Sequence, residues 1–410
     1  MKTVFLSGDY YHADDRYVHP DNPRIEFKNK HELEDWKYDG ETYYYHLHWQ
    51  ETSNYITKAL SMESVSMYID DEDSNHIKCK DEYRRGIAKE LPDRIKQDVL
   101  AGRCRFMIDH STEGYWGIRW DFLKYVFSCE YKDIIWISGD WNTLTLNSPV
   151  ELHYSNWWER ACALAYCKHD ISISELRTKQ LKLVEDRIPR DKMCTYYNRR
   201  IRNHRINMMM IMHHNNLLER TNWSWGGEVD GGINWNYSLK RFHLSPKCMG
   251  GFKYEKSYDE VSTWKNLQNG KPATEDLHYN LVNTLNDDHV LNTNFQFIIE
   301  TWATAGKTCF LSEKSFKPFM LAQPFITYGD MYTIQALRDQ GYNVFDKWIN
   351  HSYDSEFNPL KRAEIIAEEM KRLQSISSSE WADMLYDMRD VFHYNLENLK
   401  KANYRFSLDI

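Results

Sequence analysis

Three clusters in this 410-residue chain have the residue types and spacing to do chemistry on a phosphorylated ligand. One is Ser312-Glu313-Lys314, followed by Lys317 and placed after an apolar run that ends in Glu300. A second is Asn198-Arg199-Arg200, with Arg202 and Arg205 close behind, at the exit of the strand-like run CTYYN. The third is Asp109-His110, with Glu113 beyond it, at the exit of CRFMI. Guanidinium forks and lysine ammonium groups suit the oxygens of a diphosphate. Carboxylates accept paired hydroxyl donors, so Glu300 or Glu313 suits a ribose or a sugar. A carboxylate or a histidine can also take the proton of an attacking hydroxyl. Glu113 is the first candidate for that base, with Asp109 and His110 as competitors; the plain alternative is that these are ordinary loop residues. The arginines are harder to explain away, because cations at a helix start oppose its dipole and an anionic ligand would supply the reason for them.

These clusters need elements to hold them. In the stretch 295–329, FQFII reads as a strand, Ser312 caps a helix and PFITYG forms a second strand. In a parallel α/β unit the ligand lies where strands end and helices begin, which is where Glu313, Lys314 and Lys317 fall. CTYYN runs into the arginines as a strand, and positions 206, 209, 210, 212 and 217 then give a buried helix face, the Met208–Met210 run being core filler. Toward the N-terminus, TVFLSG and DIIWISG share a Ser-Gly-Asp exit, which predicts parallel neighbours in one sheet. YYYHLHW and CRFMIDH are further strands, and LPDRIKQDVLAG is a helix stopped by Gly102. The charged run 174–192 reads as a helix leading through Pro189 into an interdomain connection. Residues 221–290, rich in Trp, Asn and Gly, read as loops and short strands. In the tail, Asn358-Pro359 opens a helix with 363, 366, 367, 370 and 373 on one face, and Ser377-x-x-Glu380 opens a second with Trp381, Met384, Leu385 and Met388.

Length and composition bound the rest. A chain of 410 residues exceeds the size at which one core stops growing, so two domains are expected. A net charge of −8 argues against a protein whose main task is neutralising nucleic-acid phosphates. Eight cysteines without CxxC or zinc spacing, and no leader before TVFLSG, predict free thiols in a reducing cytoplasm. No apolar run approaches the ~20 residues of a membrane span. Asp71-x-Asp73 has the DxD form that holds a divalent metal and a sugar diphosphate in one class of transferases; within YIDDEDSNH it reads as an acidic surface loop, and no metal site is assigned.

FIIE ending at Glu300, LSEK at 311–314 and QPFITYG at 323–329 together resemble the nucleotide-sugar segment of two-domain glycosyltransferases, most nearly the α1,3-fucosyltransferase type. LRDQGYNVF at 337–345, HSYD at 351–354 and the YNRRxRxHR element around Arg199 are similar to those of glycosyltransferase-like proteins of large phages and giant viruses. Ser312 stands where Thr is usual, and His351 where Glu or Asp is usual. The resemblance implies an α/β fold with two Rossmann-like domains facing a cleft, the GT-B arrangement. The domains would be 1–185 for the acceptor and 186–358 for the donor, with helices from 359 to 410 packing back on the first. It implies a metal-independent transfer of a sugar from a nucleotide-sugar to a hydroxyl, with a phosphate-binding arginine near 199–205. The acceptor could be a glycan, a protein or hydroxymethylated phage DNA, and the location would be the cytoplasm, that of the host if phage-encoded. The rival is a catalytically silent nucleotide- or glycan-binding protein on the same scaffold.

Overall fold

A computed structural model describes residues 3–7, 25–29, 42–48, 91–111, 120–167, 171–200, 203–228, 287–304 and 308–402. The chain divides into two compact units, Met1–Trp157 with Tyr404–Ile410, and Trp158–Asn403.

The first unit is built on six parallel strands, β1 (Thr3–Ser7), β2 (Ile25–Asn29), β3 (Tyr43–His48), β4 (Cys104–His110), β5 (Ile134–Ser138) and β6 (Glu151–Tyr154), in the order β2-β1-β3-β4-β5-β6. The two Ser-Gly-Asp strands, β1 and β5, do share this sheet, but β3 and β4 lie between them. Their common exit reflects a common edge and not adjacency. Alternation along β3 and β4 sends Tyr43, Tyr45, Leu47, Phe106 and Ile108 to one face, where they form a core with Ile95 and Val99 of α1 (Asp93–Leu100) and Phe127 of α2 (Trp120–Phe127). Gly102, at φ +71°, lets the chain leave α1 in the left-handed region.

The second unit holds four parallel strands, β7 (Lys192–Arg200), β8 (Thr221–Glu228), β9 (Thr293–Ile299) and β10 (Phe325–Tyr328), in the order β10-β9-β7-β8. Every residue of β9 and of the edge strand β10 is buried, as expected where both faces of a parallel sheet are covered. Its helices are α3 (Trp157–Cys167), α4 (Ile171–Glu185), α5 (Asn203–His214), α6 (Asp287–Leu291), α7 (Glu313–Met320), α8 (Thr333–Asp339), α9 (Pro359–Gln374), α10 (Ser378–Asp387) and α11 (Arg389–Ala402). The methionine run fills the core in part: Met208 and Met209 on α5 are buried and Met210 is half-buried.

Two expectations about domain limits change. The division falls at 157/158 instead of 185/186, because the charged helix α4 turns Ile173, Leu176, Gln180 and Val184 inward and packs with α6, α10 and α11. Helices α9 to α11, expected as a separate tail from 359, are grouped with the second unit, α9 packing on α5 and α11 on α7. Their local signals hold. Asn358 Oδ1 accepts from Leu360 N at 2.9 Å, and Ser377 and Glu380 form the capping box.

Candidate functional site

Strand order locates the first place to look. In the second unit β7 leads to β8 on one side, while β9 leads to β10 on the other, so the strand order reverses between β7 and β9, the place where open parallel α/β sheets hold their ligands. Asn198 sits at the β7 exit, where the pairing with β8 shifts register between Asn198 and Arg200. It is buried, and among the described residues neither carboxamide atom makes a hydrogen bond of regular geometry. Arg199 lies on β7, whereas Arg202, like Glu113, lies outside the described residues. Arg205, in the first turn of α5, is buried, and its Nη2 donates to the Glu300 carbonyl at 3.3 Å; His204 Nε2 lies 3.1 Å from the same oxygen. The first turn of α5 is therefore tied to the end of β9.

Glu300 is fully buried, and its carboxylate collects four donors. Oε1 accepts from Ser312 N at 3.1 Å and Ser315 Oγ at 2.6 Å; Oε2 accepts from Ser312 Oγ at 2.6 Å and Thr301 N at 3.0 Å. Gly329 lets this happen. A Cβ there would stand 2.8 Å from Thr333 Oγ1 and 3.2 Å from Glu300 Cβ. The pattern FIIE…LSEK…ITYG thus folds onto itself, with the strand-end glutamate clamping the start of the next helix.

Ser312 is the N-cap of α7, as the sequence predicts, and its hydroxyl also accepts from Lys314 Nζ at 2.8 Å. Because Ser312 N and Lys314 N already have acceptors, an anion arriving here would meet the Lys314 side chain, not open backbone N–H groups. That ammonium, 29 % exposed, pairs with Glu313 Oε1 at 3.1 Å. Burial works against a charged Glu313, but Lys314 and then Lys317 outweigh it and hold its carboxyl below the usual range. Burial likewise lowers the Lys317 ammonium, with Glu313 opposing. Asp330, just past β10, accepts from Thr304 N and Oγ1, both at 2.7 Å, and from Thr308 Oγ1 at 3.0 Å. Burial nevertheless pushes its pKa up to about 6.

The further motifs prove to be architecture. Arg338 grips Asp346 with two nitrogens, and Gly341 at φ +84° ends α8. His351 is buried; its Nε2 lies 2.6 Å from the Val344 carbonyl and so carries the hydrogen, leaving Nδ1 to accept from the Tyr353 hydroxyl at 2.8 Å. Asp354 accepts from Ile334 N and Gln335 N and caps α8 from outside. The usual carboxylate at 351 is therefore not needed to hold this turn.

In the first unit Asp109 is fully buried at the exit of β4, and its Oδ1 accepts from Ser111 N at 2.9 Å. Its Oδ2 lies 3.5 Å from Nε2 of His46 on β3, a residue that sequence reasoning did not single out. His110 belongs to the opposite face and stacks on Trp136 with ring centres 4.3 Å apart. Asp71-x-Asp73 and residues 229–286 lie outside the described residues. Among the described residues no three His, Cys, Asp or Glu side chains gather to hold a metal, and no helix is long and apolar enough to cross a membrane. The described free cysteines are buried, and burial pushes Cys104, Cys129 and Cys194 up to about 12.

No protein-family model matches this chain, and no curated protein is similar to it.

Proposed function

We propose that the chain is a glycosyltransferase moving a sugar from a nucleotide-sugar donor to a hydroxyl acceptor, with its two units arranged in the GT-B manner. The observation that carries this reading is the reversal of strand order between β7 and β9, with Asn198, Arg205, Lys314 and Lys317 near the strand exits of a parallel sheet. The resemblance of FIIE, LSEK and QPFITYG to the donor segment of fucosyltransferases supports it. In this reading Lys314 exchanges Glu313 for a phosphate oxygen, and Arg199 and Arg202 reach the same diphosphate from the β7 side. Glu300 serves as the clamp of α7 instead of a hydroxyl ligand. Catalysis is then chiefly stabilisation of charge on the departing diphosphate, together with one base for the acceptor hydroxyl.

The rival reading, a protein that binds a nucleotide or glycan without turnover, draws on the mutual neutralisation of Glu313 and Lys314, which lets the edge rest without a ligand. Calorimetric titration with UDP and GDP tests the binding claim. Lys314→Ala should weaken affinity by about 1.5–3 kcal/mol, the range for hydrogen bonds to charged groups. Its melting temperature should fall only modestly, since Lys314 is partly exposed and Lys317 still faces the buried Glu313 carboxylate. Unchanged affinity with a large loss of stability would make Lys314 a structural cation. Release of free sugar from UDP-, GDP- or CMP-sugars separates the transferase from the silent binder.

A further inference from the structure

We propose that the guanidinium of Arg190 forms a buried binding site for a small oxyanion, a carboxylate or a phosphate, at the edge of the second unit's sheet where its strands begin. The site is separate from the exit edge and does not depend on the transferase reading.

The turn between α4 and β7 sends two arginines in opposite directions. Arg187 N and Ile188 N donate to the carbonyls of Val184 and Leu183 at 3.1 and 2.9 Å, with Arg187 in the left-handed region at φ +49°, and Pro189 then leads the chain toward Lys192. Arg187 faces solvent, where it meets the Asp383 carboxylate at 2.8 Å and the Tyr386 ring at 4.1 Å. Arg190 goes inward and is 3 % exposed. Its Nη1 donates to the carbonyl of Thr293, the first residue of β9, at 2.6 Å. Among the described residues its Nε and Nη2 have no hydrogen-bond partner.

The two nitrogens left over decide the ligand. Nε–H and the Nη2–H beside it point the same way and form one edge of the guanidinium fork, which takes two oxygens of a carboxylate or phosphate side by side. The surrounding side chains supply no substitute. Among the described residues no charge offsets Arg190, and burial alone brings its pKa down to about 10. Gln323 Nε2 is itself a donor, to the carbonyls of Val290 at 2.8 Å and Thr293 at 3.4 Å. Gln180, which donates to the Ala322 carbonyl at 3.4 Å, and Asn294, which donates to that of Lys192 at 3.2 Å, are buried at the same edge. Their carboxamide oxygens have no partner, so neither reaches the fork.

Arg362 on α9 shows how this unit treats a guanidinium that only holds the fold together. It is 1 % exposed, and its Nε, Nη1 and Nη2 all donate to backbone carbonyls. Arg190 is almost as deeply buried and keeps its bidentate edge unused, and a buried charge without a partner is strongly destabilising. An oxyanion on the fork would offset that charge through two charge-assisted hydrogen bonds. It would also sit where α4 gives way to β7 and where β9 begins, so binding should brace the start of the sheet. The length of β9, ~20 Å at about 3.3 Å per residue, separates this fork from Glu300 and the cations of the exit edge.

The experiment is thermal denaturation of the full chain as sodium chloride is exchanged for sodium acetate or sodium phosphate at fixed ionic strength and pH, alongside calorimetric titration with the same two salts. The wild-type melting temperature should rise and level off with one or both anions, as it does for a ligand that binds only the folded state. Acetate identifies a carboxylate site and phosphate a phosphate site. Arg190→Met should lose the saturating rise and keep only the general effect of the salt. Arg190→Lys keeps the charge without the fork and should bind roughly tenfold or more weakly. Lys314→Ala should retain the wild-type rise, which separates this site from the exit edge. A wild type with no saturable response to either anion would overturn the proposal, as would a response that survives in Arg190→Met. If the Arg190 variants do not fold, the wild type and Lys314→Ala decide it: a saturable rise that disappears in Lys314→Ala belongs to the exit edge and overturns the assignment to Arg190, and one that persists upholds it.

Discussion

Asp109 and Glu300 occupy equivalent stations, each a carboxylate of zero exposure at the exit of a parallel strand, yet their surroundings differ. Glu300 is held by four neutral donors, two hydroxyls and two backbone N–H groups, at 2.6 to 3.1 Å. Asp109 takes a backbone N–H on one oxygen and faces an imidazole with the other. A carboxylate surrounded by donors that do not titrate fixes geometry and gives nothing up to a reaction. One set against a histidine can trade charge with it. In this chain burial and strand position alike fail to distinguish the two carboxylates, and the identity of their partners distinguishes them.

The comparison can be broken most directly by removing both carboxylates. Glu300→Ala strands four buried donors and should destabilise the second unit by about 3–5 kcal/mol in urea denaturation, the scale for breaking a buried charged network. Asp109→Asn keeps an acceptor for Ser111 N and should cost about 1 kcal/mol. Equal losses would erase the distinction.

A second carboxylate of the same edge sharpens it. The pKa of Asp330 is about 6, above the ordinary value of 3.8, so the folded state holds a proton that the unfolded state has released. The resulting stabilisation is complete below about pH 4 and lost as pH rises through about 6, on the order of 3 kcal/mol in all. Asp330→Asn should flatten that part of the stability curve, and a wild-type curve without the fall would refute the assignment. At Gly329→Ala the new methyl crowds Thr333 and Glu300 and should cost about 1–3 kcal/mol by thermal denaturation. A neutral result would mean the clamp has slack.

Local structure was legible wherever the signal was local. The caps at Ser312, Asn358 and Ser377, the stop at Gly102 and the apolar runs of β3, β4, β5, β9 and β10 all lie where the sequence puts them. The parallel α/β character followed from their alternation. What failed depended on distant pairing. His46 meets Asp109 only through the register of two strands separated by 55 intervening residues, 49 to 103, and YYYHLHW by itself reads as a strand with polar alternate positions. Glu300 looked like a ligand because its partners at 312 and 315 return to it only after the loop closes. Helix α4 looked like a connector because its inward residues are spaced among lysines, arginines and glutamates.

Arg362 on α9 is buried, and its guanidinium donates to the carbonyls of Gly329, Thr304 and Glu356, which lie on three separate stretches of chain. One side chain thus makes the last turn of β10, the loop after β9 and the approach to α9 into a single unit of opening. Amide protons at Thr304 and Met331 should therefore exchange with solvent at the pace of α9 and not at the pace of a surface loop, and loss of the C-terminal helices by proteolysis would loosen the exits of β9 and β10 from behind.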